Sequence, residues 1–589
     1  MILQALYEYY QRKAADPESH IAPQGLEWKS IPYLIVIDKS GKFLRLEDTT
    51  EGEGKNKRAR QFLVTKSKGR TGSVSWQTAN IFWDHFGYVL GQPKNTEEPM
   101  QPKAIEDARK QNVTFVQEVK DLAVRFPNNE EIQAVSKFYE IPENKRLIQE
   151  DPVWEECIKK DGTNLTFRVT GSTLTVAENP DILSLATYNS CESEDSPEGI
   201  CLITGKRGPI AILNGAISIP GGKSGAKLVG FQKKSGYDSY HKEQGLNAPI
   251  SKKAEAAYTT ALNTLLDKDS HNKYRLGDTS VVFWSQKKTQ LENAFALSFS
   301  TPPKDNPDQN SETLKEVLDS IYTGKFSEED ETPFYILGLA PNVARISVRF
   351  WRQGTAGEFA KNLKQHFDDL EIHRNKGDRK YYPLFNLLTQ VSFQYKVDNL
   401  PPNLASDITQ SILDNRPYPV TLQMQCLLRI KADREISSVR AAILKAYLNR
   451  KYRKYTHNKP KDITMGLDTT NTNQAYLLGR LFAILEKIQG DAIPGANSTI
   501  KDRYYGAAST TPTAVFGRLL GLSKHHLGKL DNGKTIYYDR LLQSVISNID
   551  SNGLPKYLTL DDQSRFAIGY YHQREELWKK RENTDNQEQ

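Results

Sequence analysis

The segment Gly222-Lys223-Ser224 has the residue types that bind phosphate at the end of a nucleotide-binding loop. In that motif another glycine stands five residues before the last one, and here the position holds Ile217. Without that glycine the backbone cannot easily wrap around the phosphates, so nucleotide hydrolysis is disfavoured. Gly221, Gly222 and Gly225 instead predict a loop that approaches a DNA backbone closely.

The histidines and cysteines show no spacing typical of a catalytic or metal site. None of the ten histidines belongs to an H-E-x-x-H sequence, and Cys157, Cys191, Cys201 and Cys426 form no C-x-x-C pair. The chain also lacks a G-x-S-x-G motif. We therefore expect no catalytic residue, metal site or cofactor. The alternative is a metal-dependent nuclease or another nucleic-acid-processing enzyme, which cleavage assays with magnesium or manganese would detect.

Basic residues concentrate in two segments, Glu51–Gly72 and 428–461, and the second holds eleven of them against only Asp433 and Glu435. Either segment could be a solvated surface. At the density of 428–461 we favour contact with a phosphate backbone or a neighbouring subunit. The residues that we predict to contact DNA here are Lys55, Lys57, Arg58, Lys66, Lys68, Arg70, Arg450, Lys451, Arg453 and Lys454.

Strands and helices are both predicted in the first 400 residues. The apolar run Pro32–Asp38 predicts a buried strand, and the residues from about 100 to 150 predict helices. Alternating residues predict a strand at Leu165–Gly171 that continues after a glycine turn over Ser172–Val176. A later hairpin joins Phe334–Ala340 to Arg345–Trp351 and precedes a helix, which together make a mixed α/β unit.

After about Pro401 the pattern is almost entirely helical. The last part predicts four helices joined by short connections, which makes neighbouring helices antiparallel. The first contains Leu477–Ile488, the second begins at Thr511, the third contains Leu541–Ile549 and the fourth begins at Thr559. The predicted fold class is therefore multi-domain α+β, with mixed α/β amino-terminal and middle regions followed by a carboxy-terminal antiparallel helical bundle.

Length and composition restrict the class of protein. A chain of 589 residues predicts at least three packed units. The formal net charge of +7 permits nucleic-acid binding without demonstrating it. Unpaired cysteines, no secretory start and no apolar run of bilayer length predict a soluble cytoplasmic protein without disulfides or membrane association.

Sequence blocks spread along most of the chain resemble one family, the large subunit of the type I-C CRISPR Cascade complex. The blocks are Arg70–Gly72, Asp84–Gly91, Cys201–Gly205, Gly225–Phe231, Tyr237–Ser251, Ala257–Asn263, Gly277–Thr279, Val282–Trp284, Phe334–Asn342 and Gly569–Gln573. Two positions depart from the family, which more often has Ser at Ala340 and commonly Gly at His241.

The resemblance implies an RNA-guided binding protein that is not itself an enzyme. Guide RNA pairing would recognise the target, while this subunit would recognise the short flanking motif in double-stranded DNA, promote duplex opening and R-loop formation, and help to recruit the helicase-nuclease. The implied partners are target DNA, CRISPR RNA held through the complex, and the backbone and RNA-end-binding subunits. Further DNA contacts are predicted at Thr71, Ser73, Asn80, Lys223, Lys227, Lys242, Gln244 and Asn247.

The resemblance and the patterns together predict four regions. They are an amino-terminal DNA-contacting region (1–110), a mixed α/β middle region with the family blocks (111–400), a basic helical connector (401–464) and a bundle that resembles the Cascade small subunit (465–589). Met465 stands at the start of the bundle, so translation from this codon would release the bundle as a separate small subunit. The alternative is that Met465 is an ordinary loop residue.

Overall fold

Two compact units make up the protein in a computed structural model. Unit 1 comprises Met1–Ser218 and Ser224–Thr264, and unit 2 comprises Ile219–Lys223 and Leu265–Gln589. The structure describes residues 2–16, 19, 21–52, 58–68, 70, 72–93, 102–159, 162–191, 196–223, 225–233, 239–299, 314, 331–343, 345–374, 381–401, 403–455 and 462–585. Within these ranges, no helix combines the length and apolarity needed to cross a bilayer.

Unit 1 contains short strands and mostly short helices. Its strands are β1 (Leu26–Ser30), β2 (Tyr33–Ile37), β3 (Phe43–Asp48), β4 (Thr50–Glu51), β5 (Arg58–Ala59), β6 (Gln61–Thr65), β7 (Trp83–His85), β8 (Asn164–Val169), β9 (Glu198–Ile200) and β10 (Arg207–Pro209). Its helices are α1 (Ile2–Ala14), α2 (Phe86–Val89), α3 (Pro102–Arg125), α4 (Glu130–Phe138), α5 (Glu143–Gln149), α6 (Trp154–Ile158), α7 (Pro180–Cys191) and α8 (Lys252–Leu266), whose last two residues belong to unit 2.

The main sheet of unit 1 has the strand order β3-β2-β8-β7. Strands β2 and β8 are parallel, with Ile35 opposite Phe167, and the other pairs are antiparallel. Parallel strands need a long connection, and the chain between β2 and β8 includes helices α2 to α6. All five residues of β2 are buried, and Phe115 and Val119 of α3 belong to the same apolar core. The strand at 33–37 and the helices between 100 and 150 are thus confirmed.

Unit 2 begins with an antiparallel four-stranded sheet in chain order. The strands are β11 (Lys273–Leu276), β12 (Thr279–Ser285), β13 (Pro333–Asn342) and β14 (Arg345–Thr355). The helices that follow β12 and β14 are α9 (Gln290–Phe299), α10 (Ala356–Leu370), α11 (Leu384–Val391), α12 (Leu404–Leu413), α13 (Val420–Asp433) and α14 (Ser438–Tyr455). The predicted hairpin at 334–351 and the helix after it are confirmed.

The carboxy-terminal helices share a core with the rest of unit 2. They are α15 (Gln474–Ala492), α16 (Ile500–Ala508), α17 (Phe516–Leu527), α18 (Asn532–Ile546) and α19 (Leu560–Asp585). One continuous set of buried apolar residues runs from Tyr274 to Tyr571. Helices α15 and α19 cross closely at two glycines. A Cβ added to Gly569 would lie 2.2 Å from the carbonyl oxygen of Tyr476, and a Cβ added to Gly479 would lie 2.0 Å from the carbonyl oxygen of Phe566.

Two sequence predictions about local structure were wrong. Residues 172–176 form no second strand, because Gly171 turns the chain with φ +90° and Thr175 and Glu178 form a capping box that begins a helical turn. Residues 465–585, the described part of the bundle region, hold five α-helices rather than four, since α16 was missed. Helical structure throughout the described carboxy-terminal residues is confirmed.

The four predicted regions remain predictions. Their first limit, at 110/111, falls inside helix α3, and the limit at 400/401 falls inside unit 2. The limit at 464/465 lies in the connection between α14 and α15.

Candidate nucleic-acid interface

The amino-terminal basic segment is described only in part. Lys55, Lys57 and Thr71 lie outside the described residues, and for Ser73 only the backbone is described. Arg58 is exposed in β5. These positions therefore remain predicted contacts.

The guanidinium of Arg70 is occupied by contacts within unit 1. Its Nε donates to the carbonyl oxygen of Thr78 at 2.7 Å, its Nη1 donates to Asp84 Oδ1 at 3.0 Å, and its guanidinium lies 4.0 Å from the ring centre of Tyr88. The Asp84 side chain is only 2% exposed and also accepts from the backbone amides of Asn80 and His85. Arg70 therefore neutralises a buried carboxylate and holds the turn before β7.

Asn80 belongs to the same network. Its side chain is buried and accepts a hydrogen bond from the backbone amide of Lys68 at 3.0 Å. In this arrangement Asn80 positions the basic segment, and its Oδ1 is already occupied.

The lysines of this segment differ in their partners. Lys68 forms an ion pair with Glu118 at 3.0 Å. Lys66 follows β6, is half-buried and has no ion-pair partner among the described residues. A lysine without a carboxylate partner is free to neutralise a phosphate and so displace the counterions condensed on the DNA, which makes Lys66 the better placed of the two for a DNA contact.

The glycine loop, residues 211–218 of unit 1, is held by one polar stripe of helix α8. Tyr258 donates to Asn214 Oδ1 at 2.7 Å, Glu255 accepts from the amide of Gly215 at 2.6 Å, and Asn263 accepts from the amide of Ser218 at 2.9 Å. Asn263 also donates to the carbonyl oxygen of Ala216 at 3.1 Å. Backbone polar groups that have no secondary-structure partner are thereby satisfied, and the loop has a defined path without being a strand or helix.

Gly215 is required by this anchoring. A Cβ added there would lie 2.8 Å from Glu255 Oε1 and 2.9 Å from Thr259 Cγ2, so a side chain would push the loop off the helix. The family block at 257–263 thus contributes loop anchors. This role was not predicted from the sequence, although one helix face with the spacing i, i+3, i+4, i+8 is visible there in Glu255, Tyr258, Thr259 and Asn263.

The two lysines of the glycine-rich segment belong to different units. Lys223 is exposed and belongs to unit 2, and Lys227 is half-buried and belongs to unit 1. Among the described residues neither has an ion-pair partner. Both remain predicted contacts, each on its own unit.

The tyrosine turn, residues 240–247, carries the other predicted contacts. Lys242 is exposed and without an ion-pair partner among the described residues, and Gln244 is half-buried. Asn247 Nδ2 donates to the carbonyl oxygens of Lys242 and Gln244 at 3.0 and 3.1 Å, so its amide closes the turn.

Three non-glycine residues of the tyrosine turn have left-handed backbones. Tyr240, His241 and Gln244 have φ of 54°, 61° and 45°. Each such residue costs about 1–3 kcal/mol and persists only where the surroundings impose it. Glycine is better suited than histidine to the φ of 61° at position 241.

The basic helix α14 is largely internal. The Arg450 side chain is 2% exposed, and its Nη1 lies 3.0 Å from Asp369 Oδ2. Arg453 also pairs with Asp369. Lys451 Nζ lies 2.8 Å from Asp561 Oδ2. Burial lowers the pKa of Lys451, whereas the hydrogen bond and the charge of Asp561 raise it, and the net effect is an increase.

Of the four predicted DNA contacts on α14, only Lys454 is exposed. The nearby segment 456–461, with Lys459 and Lys461, lies outside the described residues. The charge of α14 therefore serves mainly the packing of unit 2, and contact with nucleic acid through Lys454 remains a prediction.

The described cysteines are free and buried. At Cys201 burial raises the thiol pKa, but hydrogen bonds from Ser251 and Thr204 outweigh it and lower the pKa to about 7. Within the described ranges, no group of three or more His, Cys, Asp and Glu side chains could hold a metal ion. The side chain of Cys191 is not described.

Comparison with known proteins gives one family. The sequence model described as CRISPR-associated protein (Cas_Csd1) matches residues 6–578. No match was found among curated proteins.

Proposed function

Because this chain belongs to the Cas_Csd1 family of CRISPR-associated proteins, we propose that it is the large subunit of a type I-C RNA-guided surveillance complex of the Cascade type. In this proposal it recognises the motif that flanks the target in double-stranded DNA, promotes duplex opening and R-loop formation, and helps to recruit the helicase-nuclease. The match over residues 6–578 is the observation that carries the proposal, since it spans both units.

The proposed division of labour sets what this chain must supply. Base pairing with the guide RNA identifies the target, so the protein needs to contact only phosphates and a few base edges near the flanking motif. The complex would act in the cytoplasm, and its backbone and RNA-end-binding subunits would hold the guide RNA.

Unit 1 has surface groups that suit phosphate contact. Lys66, Lys227 and Lys242 have no ion-pair partner among the described residues. Lys242 stands on a turn closed by Asn247. Lysines on fixed backbone lose little further freedom when they bind, which favours them over lysines on free chain ends.

The proposal is tested on the assembled complex with a guide RNA. In the variant with Lys66→Gln, Lys227→Gln and Lys242→Gln, DNA affinity should fall on all sequences, and the slope of log K against log salt should flatten by about 0.9 per lost phosphate contact. Lys39→Gln is the matched control, since Lys39 is exposed but paired with Glu130 at 2.7 Å. A triple variant with the affinity and slope of the control would contradict the proposed contacts.

Copurification tests the larger proposal directly. Expression with the neighbouring genes of its locus should yield a particle that contains this chain, a guide RNA and several further subunits. The particle should bind duplex DNA only when both the flanking motif and the guide-complementary target are present. A chain that purifies without RNA or partners, and binds DNA regardless of target, would overturn it.

We further propose that the chain has no active site of its own. Cleavage would come from the recruited helicase-nuclease. Incubation of the purified chain with DNA and magnesium or manganese should leave the DNA intact, whereas metal-dependent cleavage that persists through purification would establish the alternative, a nuclease.

We propose, as a part of the same function, that translation from Met465 supplies the small subunit. Met465 is 53% exposed and precedes α15, so a start there would yield α15 to α19 whole. In the full chain Asp561 of α19 accepts hydrogen bonds from Lys451 and from Gln423 Nε2, and the separate product would lack these partners. Its α19 face would then be free to bind other subunits.

Mass spectrometry of the complex tests this internal start. Expression of the intact gene should give a second product that begins at Met465, and recoding this codon to leucine should remove the product while it preserves the full-length chain. Recoding Met424 is the control and should leave both products. Absence of the short product from the unmodified gene would refute the proposal.

A further inference from the structure

The tyrosine turn displays an aromatic side chain that contributes little to the fold. Tyr240 is 92% exposed, the highest exposure among the large hydrophobic side chains of the described residues. Its backbone is left-handed, with φ 54° and ψ 36°. An exposed tyrosine in an unfavourable backbone conformation gains no stability from burial, which indicates a role in contact with another molecule.

The base of the turn is rigidly attached to unit 1. The amide of Gly245 donates to the carbonyl oxygen of Ile212 at 3.0 Å, and a Cβ on Gly245 would lie 2.2 Å from the carbonyl oxygen of Ala211. The side-chain amide of Asn247 fixes the carbonyl oxygens of Lys242 and Gln244. The ring of Tyr240 is thus presented by a fixed support.

The neighbours of Tyr240 define the chemistry that it could recognise. His241 and Lys242 are both exposed, so the tip of the turn combines an aromatic face with a cation two residues away. An aromatic ring stacks on any base, and a nearby lysine contacts the adjoining phosphate. A base that is paired within the duplex has both faces covered by its neighbours, and only an unpaired base can offer one to a side chain.

We propose that the ring of Tyr240 stacks on an unpaired base of the target DNA, next to the flanking motif, and thereby holds the duplex open. This inference rests on the proposed function, because it names the group with which unit 1 captures the first opened position. Stacking does not depend on the identity of the base. A step that follows recognition of the flanking motif requires this independence. A base of the guide RNA has the same chemistry and is the alternative source.

The expected size of the effect follows from stacking energies. Loss of one base–aromatic stack should reduce the equilibrium constant for opening by about 5- to 150-fold, which corresponds to about 1–3 kcal/mol. Tyr240→Ala should show this loss, while Tyr240→Phe and Tyr240→Trp, which retain a ring, should open DNA nearly as the wild type does.

The experiment uses the complete complex with its guide RNA. A fluorescent base analogue beside the flanking motif measures opening, in the wild type, in Tyr240→Ala and in the two ring-retaining variants. Tyr395→Ala is the matched control, because Tyr395 is also an exposed tyrosine with left-handed φ, 56°, but belongs to unit 2. Melting temperatures of all variants should equal that of the wild type, since no buried contact is removed.

A double-mutant cycle then identifies the stacked base. Abasic sites are placed one at a time at the first positions beyond the flanking motif, in each DNA strand and, in a second arm, in the guide RNA. At the base that Tyr240 contacts, the abasic site and Tyr240→Ala should each reduce opening, and together they should cost no more than one alone. Coupling at a DNA position supports the proposal.

The outcomes separate this inference from the proposed function. If wild-type complex fails to open target DNA, the proposed function is wrong. If it opens DNA and Tyr240→Ala opens it equally well, the inference is wrong and the function stands. Coupling only to guide RNA positions overturns the assignment to DNA, and a loss in Tyr240→Phe equal to that in Tyr240→Ala overturns stacking as the mechanism.

Discussion

Replacement of Asp369 by asparagine tests what the charge of helix α14 does. Asp369 lies on α10, is 2% exposed in its side chain, and accepts hydrogen bonds from both Arg450 and Arg453. Its carbonyl oxygen accepts from Lys445 Nζ at 2.8 Å. The substitution keeps the shape of the side chain and removes the carboxylate charge that Arg450 and Arg453 share, while Arg453 keeps its ion pair with Asp462 at 3.1 Å.

The magnitude follows from the burial of Arg450. Its Nε and Nη2 still donate to the carbonyl oxygens of Arg416 and Ser411, but the guanidinium charge loses its carboxylate. Breaking a buried ion pair in this way costs about 3–5 kcal/mol. For a unit of about 330 residues, with an unfolding entropy of about 2.1 cal/mol/K per residue, this lowers the melting temperature by roughly 4–7 °C.

Thermal and urea denaturation measure this change. Lys454→Gln is the control on the same helix: its side chain is exposed, so its stability should change by less than about 0.5 kcal/mol. If α14 contacts phosphate through Lys454, this variant should instead flatten the salt dependence of DNA binding by about 0.9. Asp369→Asn with wild-type stability would refute the assignment of the α14 charge to packing. A variant that replaces Arg450, Lys451, Arg453 and Lys454 together would mix the loss of stability with the loss of DNA contact.

Three further predictions concern packing, titration and the loop anchor. Gly569→Ala should destabilise the protein by about 1–3 kcal/mol in urea denaturation, because its Cβ meets the Tyr476 carbonyl oxygen. Gly517→Ala, whose Cβ lies in open space on α17, should instead stabilise the protein by up to about 1 kcal/mol. Equal effects of the two substitutions would contradict the close helix crossing. The Cys201 thiolate contributes stability that is present above the ordinary thiol pKa and is lost as the pH falls through about 7. The loss of stability in Cys201→Ala should therefore be larger at pH 9 than at pH 6. A loss that does not change with pH would refute this role of the thiolate. Asn263→Ala frees the Ser218 amide and should speed proteolysis of the glycine loop at an unchanged melting temperature, while unchanged proteolysis would show that the anchor is dispensable.

Strands and long helices could be predicted because their apolar residues repeat with a regular period. The run at 33–37 is buried throughout, the run at 334–340 is likewise buried, and the hairpin of β13 and β14 turns between the two predicted runs. Helix α16 was missed because it has only nine residues with little apolar periodicity, although its capping box at Thr499 and Asp502 is visible in the sequence. The same signal, at Thr175 and Glu178, would have ended the wrongly predicted strand at 172–176.

The candidate site was less predictable because its geometry depends on pairs distant in sequence. The sequence marks Arg70 as a basic residue among others, but not that Asp84 faces it from a strand 14 residues later. A loop was predicted at Gly221, Gly222 and Gly225, but the glycine loop that precedes these residues was not, because its anchor at Asn263 lies 45 residues beyond Ser218. Positive φ at a tyrosine or histidine leaves no mark in composition, so Tyr240 was overlooked.

The density of positive charge along a chain therefore does not by itself identify a nucleic-acid surface. In α14 the basic residues are dense, yet Asp369 and Asp561, from helices before and after it in the chain, neutralise Arg450, Arg453 and Lys451. A cation already paired with a buried carboxylate is not free to neutralise a phosphate, so it displaces no counterion from the DNA and adds little to the affinity. Lys242 stands in a sparser segment but has no such partner among the described residues, so the weaker signal in the sequence marks the better candidate for DNA contact.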